Sequence, residues 1–231
     1  MKNIHILGAG VRAGLAIESI QTFCRDKYRI VGLYDDEKRG VAHGKAILGR
    51  VFDAVGLISH EDSAFVAFGT YASIKTLSVV DKLQQRGVEI ANLVSPRANI
   101  SDSAKYDVNA MILAGAFIGK DVTMGVNFTA HGNCAVEHNS VVGDNVLLGP
   151  GVAMAGFVKI GSHCLIGAGV AIAPAVSIGE GVLLGAGSVV IKDIPSHVVA
   201  YGNPARPVRP TNAKDEVPTI EDIQAYLRTI R

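Results

Sequence analysis

The chain has 231 residues and a mass of 24.2 kDa, enough for one large domain or two small ones. Hydrophobic residues make up 48% of it and its mean hydropathy is +0.30, which excludes a disordered chain. Lysine and arginine number 22 against 21 aspartates and glutamates, for a net charge of +1. No global basic field would therefore recruit nucleic acid or an anionic membrane surface, so any phosphate must be bound locally.

The first 95 residues alternate predicted strands and helices, in the order strand, helix, strand, strand, helix, strand. The strands are predicted at residues 3–7, 28–34, 64–68 and 88–94, and the helices at about residues 11–24 and 71–86. The opening βαβ unit has no basic segment and cleavage site of the kind that a secretory signal carries. Three cysteines without CxxC spacing also argue against a disulfide framework and a structural zinc, so the sequence predicts a cytoplasmic protein.

A glycine turn joins the first strand to the first helix in the segment Gly8-Ala9-Gly10-Val11-Arg12-Ala13-Gly14. Bare backbone amides at a helix N-terminus favour a pyrophosphate, and Asp35 and Asp36 after the second strand could take a ribose hydroxyl or a base edge. Packing a helix on a strand also requires glycine, so the motif leaves a structural role open. Four strands are too few for a complete dinucleotide-binding domain, which disfavours NAD.

From residue 100 onward, an apolar residue returns at every sixth position as far as residue 190. These anchors are Ile100, Tyr106, Ile112, Ile118, Met124, Ala130, Val136, Val142, Leu148, Met154, Ile160, Ile166, Ile172, Ile178, Leu184 and Val190. Small or β-branched residues recur four positions after the anchors, and glycine often follows an anchor directly, where we expect a tight backbone bend. The pattern predicts a β-solenoid, which also explains the long apolar stretch 164–191 without a membrane span.

The hexads resemble the left-handed parallel β-helix of hexapeptide acyltransferases, with their [Ile/Leu/Val]-Gly-x-x-[small]-x pattern. In that family three hexads form one coil, so that residues eighteen apart would stack. Together with the βαβ start, the chain resembles nucleotide-sugar N-acetyltransferases and the related sialic acid O-acetyltransferase-like group over residues 1–209, including the ending Gly202-Asn203-Pro204-Ala205-Arg206. The fold implied is a Rossmann-like α/β domain (1–94), a left-handed β-helix (95–209) and a tail (210–231) with an amphipathic helix from about Val217.

The resemblance implies a catalytic histidine at His138, in the segment Val136-Glu137-His138-Asn139. Asn139 stands where relatives carry a carboxylate, so its amide could orient the imidazole but not stabilise its cation by charge. Glu137 could compensate, or it could be a solvated surface charge. Gly156, eighteen residues after His138, would offer its amide to the thioester carbonyl.

Acetyl-CoA is the implied co-substrate, and no metal or NAD is expected. The implied cofactor residues are Leu147, Gly156, Ala173 and Gly185, and the implied substrate residues are Gly8, Gly10, Arg12, Asp35, Asp36, Gly69, Lys75 and His131. Arg12 replaces a family histidine and could pair with a pyrophosphate, with Lys75 making a similar contact. Leu147 and His131 also depart from the family pattern, in which a histidine and an asparagine are usual.

The resemblance implies acetyl transfer to a nucleotide-linked amino sugar, with UDP and a 4-amino group favoured, in a homotrimer that binds coenzyme A between neighbouring β-helices. Sugar or sialic acid O-acetylation and a non-catalytic trimeric binding protein remain alternatives. The γ-class carbonic anhydrases share the solenoid, but their zinc needs three converging histidines, which the spacing of His131, His138 and His163 disfavours. Cys134 and Cys164 occupy inward positions and are predicted to fill the core.

Overall fold

A computed structural model of the protein describes residues 1–68 and 73–212. Gly69 and the predicted tail helix from Val217 lie outside the described residues. Within the described residues, no helix combines the length and the apolar character that crossing a bilayer requires.

The first 90 residues form a six-stranded sheet with the strand order β3-β4-β2-β1-β5-β6, flanked by helices. Its pairs are parallel except for the antiparallel pair β3/β4. The elements are β1 (Lys2–Leu7), α1 (Val11–Phe23), β2 (Tyr28–Tyr34), β3 (Val41–Ala42), β4 (Lys45–Gly49), α2 (Val51–Leu57), β5 (Ser63–Val66), α3 (Ser73–Gln85) and β6 (Glu89–Ile90).

Two predictions for this sheet were wrong. It has six strands instead of four, because β3 and β4 form a short, partly exposed hairpin that lacks the apolar run by which a buried strand is recognised. The predicted strand 88–94 is divided between β6, which pairs with β5 in the sheet, and Leu93–Val94, which pairs with Met111–Ile112 in the next part of the chain. The segment therefore contributes strands to two different sheets.

From Leu93 the chain winds into a β-helix of two-residue strands that form three sheets, parallel except for one antiparallel pair of longer strands after residue 197. Wall 1 contains β7 (Leu93–Val94), β10 (Met111–Ile112), β13 (Thr129–Ala130), β16 (Leu147–Leu148), β19 (Leu165–Ile166) and β22 (Leu183–Leu184), followed by β24 (Val198–Gly202) and β25 (Ala205–Pro210). Wall 2 contains β8 (Asn99–Ile100), β11 (Phe117–Ile118), β14 (Ala135–Val136), β17 (Ala153–Met154), β20 (Ala171–Ile172) and β23 (Val189–Val190). Wall 3 contains β9 (Lys105–Tyr106), β12 (Thr123–Met124), β15 (Val141–Val142), β18 (Lys159–Ile160) and β21 (Ser177–Ile178).

The hexad register predicted from the sequence is confirmed. Residues eighteen apart pair directly, as Ile118 does with Val136 and Val136 with Met154. The anchors from Ile112 to Val190 are buried, and so are the small positions, where Cys134 and Cys164 fill the core. Burial raises the pKa of both thiols, that of Cys164 to about 11, so both cysteines are structural.

The predicted reason for the recurrent glycine was wrong. The left-handed backbone conformation falls two residues later, at every sixth position from Asn109 to Gly187, and non-glycine residues occupy most of these corners. The glycine after each anchor lies instead against the backbone of the next coil: a Cβ on Gly149 would lie 2.7 Å from the nitrogen of Ala168. Close stacking of the coils, and not the bend, requires glycine there.

Buried asparagines join the β-helix to the sheet. Asn109 accepts a hydrogen bond from the backbone N–H of Val66 at 2.8 Å and donates to the carbonyl oxygen of Val66 at 2.9 Å. It also donates to the Asn127 side chain, which in turn donates to Asn145 one coil further along. Helix α1 packs beside this junction against Leu93 and Met111 of wall 1.

Candidate active site

His138 lies at the corner that follows β14, with an exposed side chain. Its Nδ1 is 3.0 Å from Oδ1 of Asn139. Because an amide oxygen only accepts hydrogen bonds, Nδ1 is the nitrogen that carries the proton in the neutral ring, and Nε2 then keeps its lone pair. The arrangement produces an accessible base whose tautomer is fixed by its neighbour.

The imidazole of His138 lies against the next coil. A Cβ on Gly156 would lie only 2.7 Å from Cε1 of this ring, so the absence of a side chain at residue 156 makes room for the histidine. The edge of Phe157 meets the ring at a centroid distance of 5.2 Å and an interplanar angle of 90°. The Gly156 N–H donates no hydrogen bond to any residue that the structure describes, which leaves it available to an oxyanion.

Glu137 does not reach the imidazole through any hydrogen bond among the described residues. It is half-buried on wall 2, where it lines a shallow depression together with Ala155 and Ala173. Of these two neighbours, Asn139 and not Glu137 forms the hydrogen bond with Nδ1.

In the glycine turn before α1, Gly8 has no room for a side chain, whereas Gly10 has open space beside it. A Cβ on Gly8, whose φ is +118°, would lie 2.7 Å from the carbonyl oxygen of Ala67, whereas a Cβ on Gly10 would meet no atom within 4 Å. Gly10 caps α1 without a side-chain hydrogen bond. The open N-terminus of a 13-residue helix is suited to an anionic group.

Asp35 and Asp36 have different partners at the end of β2. Burial favours the neutral form of Asp35, but N–H groups of Lys38, Glu37 and Ala9 bond to its carboxylate and together hold its pKa below the usual range. Asp36 forms an ion pair with Lys75 at 2.5 Å, which lowers the pKa of this carboxyl. The structure thus brings together Asp36 and Lys75, two of the predicted substrate residues.

His43 is a residue that the sequence analysis missed. It lies in the β3/β4 turn and is placed to donate from Nε2 to the carbonyl oxygen of Gly10 at 2.9 Å. A Cβ on Gly14 would lie 2.9 Å from its Nδ1, so Gly14 makes room for this ring. The signal for the hairpin was the His43-Gly44 pair, since a two-residue turn needs positive φ at both positions, here 49° and 69°.

Arg12, His131 and Leu147 meet in a cavity of about 340 Å³ between α1 and wall 1. The guanidinium of Arg12 points toward the β-helix, where Nη2 donates to the carbonyl oxygen of Asn109 at 3.3 Å. The Cζ atom of the Arg12 guanidinium lies 5.3 Å from the centre of the Phe65 ring. The arginine of the glycine turn therefore faces the same cavity as the wall 1 residues.

The remaining predicted cofactor residues lie on different walls of one chain. Leu147 and Gly185 belong to wall 1, whereas Ala173 and Gly156 follow strands of wall 2. His131, His138 and His163 follow strands of three different walls, and the described residues contain no group of histidine, cysteine and acidic side chains that could hold a metal ion.

Comparisons with known proteins bear on both parts of the fold. The family model described as bacterial transferase hexapeptide (six repeats) matches residues 157–192, and the model described as hexapeptide repeat of succinyl-transferase matches residues 139–174. The acetyltransferase domain of PglB from Neisseria gonorrhoeae, solved with acetyl coenzyme A, is 25% identical, with a TM-score of 0.82 and coverage of 90% of this chain and 99% of that one. The protein is an acyltransferase of the left-handed β-helix type.

Two other solved structures resemble this acyltransferase over the same extent. PerB from Caulobacter crescentus, in complex with CoA and GDP-perosamine, is 27% identical, with a TM-score of 0.80 and coverage of 90% of this chain and 98% of that one. WeeI from Acinetobacter baumannii, at 23% identity, a TM-score of 0.67 and coverage of 90% and 100%, shares the fold. A search of curated protein sequences finds no match. The structural similarity to these relatives thus extends over both the sheet and the β-helix.

Proposed function

We propose that the protein transfers an acetyl group from acetyl-CoA to the amino group of a nucleotide-linked sugar. The observation that carries this proposal is the arrangement at His138, where Asn139 contacts Nδ1, the side-chain-free position of Gly156 makes room for the same ring, and the N–H of Gly156 donates to no described residue. The complexes of PglB with acetyl coenzyme A and of PerB with CoA and GDP-perosamine support the two substrate classes.

In the proposed reaction, the amine nitrogen attacks the thioester carbonyl carbon and Nε2 of His138 accepts the proton that the nitrogen loses. The N–H of Gly156 stabilises the negative charge that develops on the carbonyl oxygen. The C–S bond then breaks, and the departing thiolate of CoA takes the proton from the imidazolium. Asn139 holds the ring in place through its amide oxygen, without contributing a charge.

The two parts of the chain would have different roles. Residues 1–94 would hold the nucleotide diphosphate at the turn of Gly8 and Gly10, with Asp35, Asp36 and Lys75 nearby, and residues 95–209 would carry out the acyl transfer. The free helix N-terminus beyond Gly10 supports this role for the turn. UDP and a 4-amino group remain our expected nucleotide and acceptor.

A homotrimer would complete the site. The depression on wall 2 is lined mostly by small and apolar side chains, among them Ala153, Ala171 and Val189, which are suited to close contact with another copy. If wall 2 of one copy faces wall 1 of the next, His138, Gly156 and Ala173 of the first meet Leu147 and Gly185 of the second. Coenzyme A would then bind between the two walls.

The test is the release of free CoA from acetyl-CoA in the presence of UDP-, GDP- and dTDP-linked 4-amino sugars. We expect His138→Ala to lower kcat by about 10²- to 10⁴-fold, which is the usual contribution of a general base. His60→Ala is the matched control, because His60 is an exposed histidine in the loop after α2. Sedimentation should give the same trimeric mass for all three proteins.

Two results would contradict the proposal. If none of the sugars releases CoA from a trimer that binds acetyl-CoA, the acceptor class is wrong. If His138→Ala keeps more than about a tenth of the wild-type kcat, equivalent to a loss of less than about 1.4 kcal/mol of barrier lowering, His138 is not the base. His131 would be the next candidate.

A further inference from the structure

The cavity between α1 and wall 1 has features that acetyl transfer to a neutral amino sugar does not require. Its volume is about 340 Å³, and apolar side chains provide much of its lining, including Val11, Leu15 and Leu165. Arg12 and His131 are the two side chains in the lining that carry ionisable nitrogen. A permanent cation therefore sits in largely apolar surroundings.

The charge of Arg12 has no counterion among the described residues. Nη2 makes one long hydrogen bond to a neutral carbonyl oxygen, that of Asn109, and the buried Nε has no partner. Loss of solvent lowers the pKa of Arg12 to about 10, which still leaves the guanidinium protonated at neutral pH. The ring of Phe65, 5.3 Å from Cζ, offsets only part of the cost of burying this cation, so a fold that retains the cation gains from an anion that enters the cavity.

His131 is placed to donate a hydrogen bond to an anion in this cavity. Loss of solvent lowers its pKa, and the neighbouring charge of Arg12 lowers it further. The neutral imidazole keeps one N–H that can donate a hydrogen bond. His131 directly follows β13 of wall 1, one hexad before Glu137 at the end of β14. In the proposed trimer, wall 1 would face the His138 of a neighbouring copy.

We propose that this cavity receives a carboxylate group of a substrate, which pairs with Arg12 and accepts a hydrogen bond from His131. The inference rests on the proposed acyl transfer and adds the substrate class. The guanidinium matches a planar carboxylate, and the apolar lining suits the short carbon arm that carries it. The carboxylate can belong to the acceptor, as in an aminated uronic acid, or to the acyl group, as in succinyl-CoA.

The experiment compares kcat/KM for pairs of substrates that differ in the carboxylate alone. One arm uses acetyl-CoA against succinyl-CoA, and the other uses a UDP-linked amino hexose against the corresponding amino hexuronic acid. Wild-type protein should prefer the carboxylate in one arm, which identifies its source. Arg12→Met should lower kcat/KM for that substrate by about 10- to 100-fold, the usual effect of removing a charged hydrogen bond, and change the neutral substrate less than about threefold.

Variants separate this role from a structural one. Arg12→Lys should recover part of the preference, because it restores the charge without the planar pair of donors. Arg25→Met is the matched control, since Arg25 is an exposed arginine just after α1. A melting temperature of Arg12→Met at or above that of the wild type is also expected without substrate, because an unpaired buried charge has been removed.

Three outcomes would overturn the inference. The first is a wild-type enzyme that prefers the neutral substrate in both arms while its activity on neutral substrates depends on His138, which leaves the proposed function intact. The second is an equal loss on charged and neutral substrates in Arg12→Met. The third is a loss of UDP affinity in Arg12→Met by calorimetry, which would assign the cation to the diphosphate.

Discussion

The β-helix and the N-terminal sheet achieve burial in different ways. In the β-helix the two-residue strands pair with strands eighteen positions away, so one hexad rule decides which side chains point inward. In the sheet, neighbouring strands are separated by unequal lengths of chain, and β1 lies between β2 and β5. A periodic pattern can therefore specify the first region, whereas the second depends on contacts that no short pattern contains.

The two regions also use glycine differently. In the β-helix, the glycine after an anchor is required by the coil stacked above it, as at Gly149. In the sheet region, Gly14 is required by a single histidine that arrives from a hairpin, His43. Glycine is thus required by a repeated contact in the β-helix and by a single contact in the sheet region.

The largest effect on stability is expected where the repeat is broken. In Gly149→Ala, the added Cβ would lie 2.7 Å from the nitrogen of Ala168 and 3.0 Å from the carbonyl carbon of Gly167, and neither backbone atom can move without disturbing the stack. We expect a loss of about 3 kcal/mol or more in the free energy of unfolding, measured by urea denaturation.

Gly169→Asn is the control for that experiment. Gly169 has φ +67° and open space around its Cβ direction, and asparagine already occupies equivalent corners. A loss in the control as large as in Gly149→Ala would mean that the bend and not the stacking requires glycine.

The junction between the regions should come next. Asn109→Ala leaves the N–H and carbonyl of Val66 without their partners in a buried place, which should cost about 2 kcal/mol in the free energy of unfolding. Asn133→Ala is the matched control, because Asn133 has nearly the same φ, 61° against 62°, at an exposed corner of the repeat. Equal losses in both variants would assign the effect to backbone conformation alone.

The smallest effect is expected at the ion pair of the sheet region. Lys75→Met removes the partner that depresses the pKa of Asp36, but both side chains are more than a third exposed, so the loss at pH 7 should be at most about 0.5 kcal/mol. Because the folded pKa of Asp36 is lowered, this contribution is complete above its unfolded pKa of about 4 and is lost as the pH falls through the lower folded pKa. Urea denaturation at a series of pH values should show the stability difference between Lys75→Met and the wild type shrinking below about pH 4, and a difference that does not change with pH would point to lost packing instead.

Much of the candidate site could be predicted because it lies in the repeat. His138 and Gly156 are eighteen residues apart, and the hexad register by itself stacks one on the other. Asn139 is adjacent in sequence to the histidine that it contacts. The position of His43 could not be predicted in the same way, because it depends on a hairpin whose strands are too short to show a pattern.

The sequence by itself determined the β-helix, its register, its buried anchors and the corner that carries His138, because stacked coils turn a local pattern into a spatial one. Only the tertiary structure decided where Arg12 points. Its partner, the carbonyl oxygen of Asn109, is 97 residues away and shares no periodic relation with it. The cavity that Arg12 lines forms only when α1 packs against wall 1, and that packing depends on the shape and burial of both surfaces.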